Sequence, residues 1–332
     1  MKSITKTLVT TVQIHKIVNK HFPGSVITGT KELKGGLFNS AYLVEGEGEL
    51  KEGIVIKIGP LPTTYTLTYE KEIMRTEVKV YELLADKAIP TPAVLAHDFS
   101  HSDIPCDYFI MQKLNGQTWS SAKRKRVFRD AHPDLMREFG RCNAAIHSVE
   151  GEWFGYVKDD ERFQFDNWEE AFTAMVSDIL ADGLKRKQKL PFDEIKQAII
   201  KHKNIFNEIE KPSLVSFDMW AGNVFVTQDN NVHISGVVDF ERSFYGDPFA
   251  DFTAAIMLFN DVEKEMEFQE GYSEISGKPF AVSANDRIRM DFYRLYMALI
   301  MSVETYRFNR VYAFLVEKYT RGQMKKLLRK LK

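Results

Sequence analysis

Cysteine is scarce in this chain: Cys106 and Cys142 are its two. A pair in a chain of this length makes no disulfide framework. No C-x-x-C spacing accompanies them, which argues against a zinc site. Long apolar runs are missing too. The longest, Leu295 to Val303, falls well short of the ~20 residues that cross a bilayer. The opening Met1-Lys2-Ser3-Ile4-Thr5-Lys6 has no apolar core of a signal peptide. The expectation is a soluble, cytoplasmic protein with no membrane partner. An excess of either charge is also lacking, with 45 Lys+Arg against 46 Asp+Glu and a net charge of −1. That balance argues against a nucleic-acid partner, whose binding needs a basic excess. There is no internal repeat and no low-complexity tract.

What is present is ordinary globular material, 44% hydrophobic and 27% charged over 332 residues, enough for two domains or lobes. Residues 4–22 carry apolar side chains at roughly helical spacing. Strand-like stretches follow at Val26-Ile27, Ala41 to Val44 and Ile54 to Ile58, separated by Gly35-Gly36 and by Gly46 to Gly53, which are turn signals. Helical periodicity returns from Glu70 to Leu84 and stops at Pro90-Thr91-Pro92. Two more strands are expected at Val94 to Ala96 and Tyr108 to Met111, then a short linker at Leu114-Asn115-Gly116-Gln117. Beyond it helices are expected at Asp134 to His147, Trp168 to Ala181, Phe192 to Glu208 and Arg287 to Tyr306. One β-rich interruption separates them, from Ser213 to Asp239.

That interruption carries the chemistry. Asp218 and Asn223 lie on a loop after Leu214-Val215, and a hairpin turning at Asp229-Asn230-Asn231 brings the chain back to Asp239. Oxygen-bearing side chains thus converge at the ends of short strands. Mg²⁺ favours such ligands, typically one or two carboxylates plus phosphate oxygens. An Asp five positions before an Asn, with a second Asp after a hairpin, fits phosphoryl transfer: one Asp orients the acceptor hydroxyl, while the Asn and the other Asp hold metal.

On these residues the sequence resembles the small-molecule kinases of the aminoglycoside phosphotransferase and choline kinase-like family. The resemblance covers most of the chain. Asp218-x-x-x-x-Asn223 resembles the catalytic loop, Asp239 the metal-binding aspartate, and Gly246-Asp247-Pro248 with Asp251 the motif that follows it. Gly35-Gly36-Leu37-Phe38-Asn39-Ser40 is similar to the phosphate-covering loop, Lys57 to the strand lysine and Glu77 to its ion-pair partner. The adenine-binding hinge would fall on Gln112, Lys113 and Leu114. The resemblance implies an α+β, bilobal protein kinase-like fold. Its small β-sheet N-lobe would span residues 1–114 with one key helix, and a larger, mostly helical C-lobe residues 115–332. It also implies Mg²⁺, ATP or GTP as phosphate donor, a small-molecule hydroxyl acceptor such as an aminoglycoside-like antibiotic, amino alcohol or sugar, and a monomer or homodimer.

Singly these pieces carry little: paired glycines mostly mark turns, and a lone lysine or glutamate is ordinarily a surface charge. Asp218, Asn223 and Asp239 with Gly246-Asp247-Pro248 carry the weight, because they come in order. One position departs from the family's pattern. Ser216 stands where the family has His two residues before the catalytic Asp, which removes loop support but not the base. A Ser hydroxyl can still donate and accept. The departure motivates an alternative, a catalytically weak or inactive nucleotide-binding regulator. A protein kinase is disfavoured, since Gly246-Asp247-Pro248 follows Asp239 too closely to leave room for an activation segment.

Charge is unevenly spread. From Ser216 to Asp251 there are six acids and one base, whereas Arg321 to Lys332 holds six bases and no acid. The latter segment, with Met324, Leu327, Leu328 and Leu331 at helical spacing, reads as a terminal helix packed on the second lobe rather than a membrane-surface helix. Asp178, Asp182 and Glu270 could line a cationic pocket and Trp153, Trp168, Phe172 and Tyr272 could cage an amine. A solvated helix face and core packing are the expected roles instead.

Overall fold

The computed structural model describes residues 3–254 and 261–332. The chain forms two compact units, and one of them takes three separate stretches: the chain up to Thr66, Pro92–Leu114 and Arg307–Asn309.

That unit is built on a five-stranded antiparallel sheet. Its strands are β1 (Ile27–Leu33), β2 (Ser40–Gly46), β3 (Ile54–Ile58), β4 (Val94–Asp98) and β5 (Tyr108–Gln112), in the order β1-β2-β3-β5-β4. Alternation selects the core: Ser40, Tyr42 and Val44 of β2 point inward while Ala41 and Leu43 stay half-exposed. Helix α1 (Thr11–His21) begins only at Thr11, because Thr10 and Gln13 form a capping box there. The expected helix from Ile4 is therefore shorter, and Leu8 and Val12 are exposed. The buried face of α1, Ile14, Ile17 and Val18, joins Val44, Ile54, Ile56, Ile58 and Ile110 in an aliphatic core. Each such side chain contributes about 1.5–3 kcal/mol by leaving water.

The second unit comprises Leu67–Thr91, Asn115–Tyr306 and Arg310–Lys332. It contains helix α2 (Ile73–Leu84), then β6 (Gln117–Thr118), α3 (Trp119–Ala122), α4 (Arg126–Asp130), α5 (His132–His147), β7 (Gly155–Tyr156), α6 (Trp168–Lys185) and α7 (Phe192–His202). After these come β8 (Ser213–Val215), β9 (Val224–Gln228), β10 (Val232–Val237), β11 (Phe244–Gly246), α8 (Asp251–Ala254), α9 (Met266–Ser276), α10 (Ala284–Val303) and α11 (Arg310–Lys330). Two small sheets, β10-β9-β6 and β7-β11-β8, lie among the helices. The expected linker ends in a strand: Gln117 and Thr118 pair with Val226 and Phe225. Gly116 makes that approach possible, since it sits at φ +94° and a Cβ there would lie 2.3 Å from the Val226 carbonyl oxygen.

The core of this unit is aromatic. Trp168 stacks on Phe244 at 5.4 Å, and Phe244 in turn packs against Phe217 at 5.3 Å. Phe217 also meets Tyr296 of α10 at 5.6 Å. Gly246 lies against Trp168, where a Cβ would come within 2.5 Å of the indole. Helix α11 buries Met324, Leu327 and Leu328. No described helix is long and apolar enough to cross a membrane.

Candidate active site

The local chain around Asp218 is under conformational constraint. Phe217, immediately before it, has φ +58°, and Asp239 has φ +75°. Non-glycine residues rarely adopt this left-handed region, and an aromatic pays about 1–3 kcal/mol for it. The surrounding packing holds it: Phe217 is 1% exposed within the aromatic core. The Asp251 carboxylate accepts from the Ser216 and Phe217 backbone N–H groups at 3.0 and 2.5 Å. His147 Nε2 lies 3.0 Å from Asp251 Oδ2, the oxygen that accepts from Ser216, and His147 Nδ1 2.9 Å from the Tyr272 hydroxyl. The Ser216 hydroxyl makes no hydrogen bond among the described residues. Loop support thus comes from Asp251 and His147 through the backbone, and the side chain at 216 does not supply it.

Asn223 is held by the same loop. Its Nδ2 donates to the Asp218 carbonyl at 3.0 Å, and its own carbonyl accepts from Val238 N–H at 2.9 Å. With Nδ2 so engaged, Oδ1 is the atom available as a ligand. The β9–β10 hairpin pairs Val224 with Val237 and so returns the chain to Asp239. Tyr81 of α2 accepts from Asp239 N–H at 3.2 Å and donates to Glu77 Oε1 at 3.2 Å, tying the helix to the loop. Glu77, Asp239 and Glu241 offer carboxylate oxygens within 4.8 Å of one another. Hard oxygen donors are the kind of ligand that Mg²⁺ takes.

The charge balance around Asp218 is equally specific. Its side chain keeps 22% exposure, and Arg242 Nε stands 4.0 Å from Oδ2. Burial pushes the Asp218 carboxyl well above the usual carboxylate range; Arg242 opposes the shift, while Asp239, Glu241 and Glu304 add to it.

In the sheet unit, Gly35 adopts φ +146° ahead of β2, and Asn39 and Ser40 at the start of that strand are buried. Ser40 pairs with Ile58 and Ala41 with Lys57, so the ladder sets the glycine turn next to Lys57. Gln112 pairs with Ile54 at the other end of β3, with its side chain exposed and its N–H donating to the Ala93 carbonyl at 2.9 Å. Leu114 is half-buried. Glu77, read from sequence as the partner of Lys57, is 1% exposed and belongs to the carboxylate group in the second unit.

Sequence reasoning missed Glu241, Arg242 and Glu304. Glu241 had a visible signal, a carboxylate two residues after Asp239. Glu304 had none, being 62 residues from the arginine it binds. Asp182, expected on a solvated face, is buried and accepts from Thr68 N–H at 2.6 Å. Trp168 and Phe172 are core residues, as expected.

A loop carboxylate, a loop amide and a group of carboxylates after a hairpin thus lie in the second unit. The model of the phosphotransferase enzyme family matches residues 29–293, and the chain belongs to that family. It is a small-molecule kinase with a protein kinase-like fold: an antiparallel sheet in one lobe, helices in the other. A probable ketoamine kinase of Staphylococcus aureus is 26% identical over 286 residues, spanning 85% of this chain and 89% of that one. A Thermobifida fusca structure provisionally designated a fructosamine-3-kinase superposes with a TM-score of 0.69 at 19% identity, covering 98% of this chain and 99% of that chain. A thermostable mutant of the aminoglycoside phosphotransferase APH(4)-Ia, in a ternary complex with AMP-PNP and hygromycin B, superposes with a TM-score of 0.63 at 16% identity, covering 96% of this chain and 98% of that chain.

Proposed function

We propose that this kinase transfers the γ-phosphoryl group of ATP or GTP to a hydroxyl of a small sugar-derived amine, with ketoamines as the first acceptors to try. The observation that carries the reading is Asp218, next to the left-handed Phe217 and bonded through its carbonyl to Asn223, within electrostatic reach of Asp239 and Glu241, which group with Glu77. The choice of acceptor leans on the ketoamine and fructosamine names of two relatives. Asp218 would orient the acceptor hydroxyl and take its proton as the bond to phosphorus forms. Asn223 and Asp239, joined by Glu241, would hold Mg²⁺, which when bound offsets phosphate charge. Glu77 borders that group, and Tyr81 fixes it there. Lys57 would contact the α- and β-phosphates, backbone N–H groups of Gly35 to Ser40 would cover them, and Gln112 to Leu114 would face the base.

The regulator reading rested on Ser216. Its motivation weakens because Asp251 and His147 brace the loop independently of that side chain.

The deciding experiment is a ³¹P NMR assay with Mg²⁺ and either ATP or GTP, run against glycated lysine and other ketoamines, aminoglycosides, choline-like amines and free sugars. A new phosphate monoester from a ketoamine is the expected result. A phosphomonoester from another acceptor class alone would replace the acceptor. Nucleotide binding with no turnover on any of them would restore the regulator.

A further inference from the structure

Arg242 is held in a position its own loop does not explain. Its Nη2 donates to Glu304 Oε1 at 2.8 Å, and Nη1 lies 3.9 Å from the Met297 sulfur. Its guanidinium carbon stands 5.9 Å from the Tyr69 ring centroid. Tyr69 in turn donates its hydroxyl to the same Glu304 oxygen. The remaining donor, Nε, makes no hydrogen bond among the described residues although it is buried, and it faces Asp218 Oδ2 at 4.0 Å. A guanidinium beside a carboxylate ordinarily closes to a two-pronged pair with N–O distances near ~2.8 Å. Here one prong is drawn away by Glu304, a residue just past the C-terminal end of α10.

We propose that Glu304, oriented by Tyr69, is a positioning residue for phosphotransfer: it clamps Arg242 so that the cation neutralises Asp218 from a distance without occupying the oxygens the acceptor hydroxyl must reach. The proposal rests on the assignment of Asp218 as the residue that orients the acceptor. Without the clamp, Arg242 swings onto Asp218 and competes with the acceptor. The geometry favours this over a purely structural role. An ion pair built only to hold α10 would not need its arginine to stop 4.0 Å short of a second carboxylate.

The test is E304Q, which keeps the shape of the side chain and removes its charge, with R242Q and the double variant. A misplacement of about 1 Å at a reacting group lowers turnover on the order of 100-fold, so kcat of E304Q is expected to fall by about 10- to 100-fold. The nucleotide KM should stay within about twofold, since a transition-state interaction is what has been lost. E304Q/R242Q should be no worse than R242Q alone, because the clamp acts only through the arginine. E304D, retaining charge, should recover part of kcat. In parallel, the Arg242 Nε–H resonance of ¹⁵N-labelled protein should move in E304Q, reporting the swing with no acceptor present. An unchanged kcat, losses that simply add in the double variant, or an unmoved resonance would each overturn the clamp. If the wild-type protein phosphorylates no acceptor, the acceptor assignment fails on its own. The clamp is then decided by the resonance and by the rate of nucleotide hydrolysis to water.

Discussion

The two units are stabilised in different ways. The sheet unit rests on interchangeable aliphatic side chains, Val44, Ile54, Ile56, Ile58 and Ile110, against the inner face of α1. The helical unit rests on rings in fixed orientations and on buried charges: Trp168 over Phe244, Phe244 on Phe217, and Arg289 in contact with Asp247 at 2.8 Å. Phe217 and Asp239, the left-handed positions at the proposed site, both belong to the helical unit. Aliphatic packing tolerates volume-conserving exchange. A strained loop braced by one ring and one carboxylate does not, so precision is concentrated at the proposed site.

The largest effect expected from breaking this contrast is on rate. Asp218→Asn should lower kcat by ~10²–10⁴, the span of general-base loss, while chemical denaturation shows a nearly unchanged midpoint; a fully active variant would refute the role. Next comes packing. Trp168→Ala should destabilise the helical unit by about 3–5 kcal/mol and reduce activity as well, because Phe244 and then Phe217 lose their backing. Ile56→Val in the sheet should cost only about 0.5–1.5 kcal/mol and leave kcat close to wild type. Urea titrations paired with steady-state kinetics distinguish these outcomes, and equal losses of activity in the two variants would dissolve the comparison.

A pH-dependent effect concerns Lys158. This lysine is buried, donates to the Tyr69 carbonyl at 2.8 Å, and lies over the rings of Tyr156 and Phe163 at 5.0 and 4.5 Å. Burial pulls its pKa down to about 7, with Glu72, Asp160 and Asp178 opposing and Arg162 assisting. Unfolded lysine stays protonated to about 10.4. Between these values the unfolded chain therefore binds more protons, and stability must rise with pH. Below the folded value both states are charged and the gain is absent. Denaturation at pH 6.5 and 9.5 should show this rise in the wild type and a flatter response in Lys158→Met. The smallest effect is at the exposed pair Lys113–Glu45, 3.0 Å apart. Lys113→Ala should shift stability by less than about 1 kcal/mol, and a larger shift would show that the sheet unit also depends on a specific charge.

Legibility followed the same division. In the sheet unit β2, β3 and β5 were readable because alternation and glycine turns are local signals. The helices α5, α6 and α10 were readable from their period. Helix α9 was not, since Met266–Ser276 buries only Phe268 and Gly271 and shows little apolar rhythm. Strands β7 and β11, two and three residues long, are made by pairing across the chain, Phe244 with Tyr156 and Val215. Short elements of this kind have no periodicity to detect.

By itself the sequence determined the order and spacing of Asp218, Asn223 and Asp239, and the hairpin that returns one to the other, because those relations span few residues and depend on turn chemistry. Only the tertiary structure decided that Glu77 would join Asp239 and Glu241, that Asp251 and His147 would brace the loop at Ser216, and that Glu304 would restrain Arg242. Those contacts join residues tens to more than a hundred positions apart. Periodicity and propensity act over a few turns of chain, whereas such meetings are set by which faces the packed core leaves opposite one another.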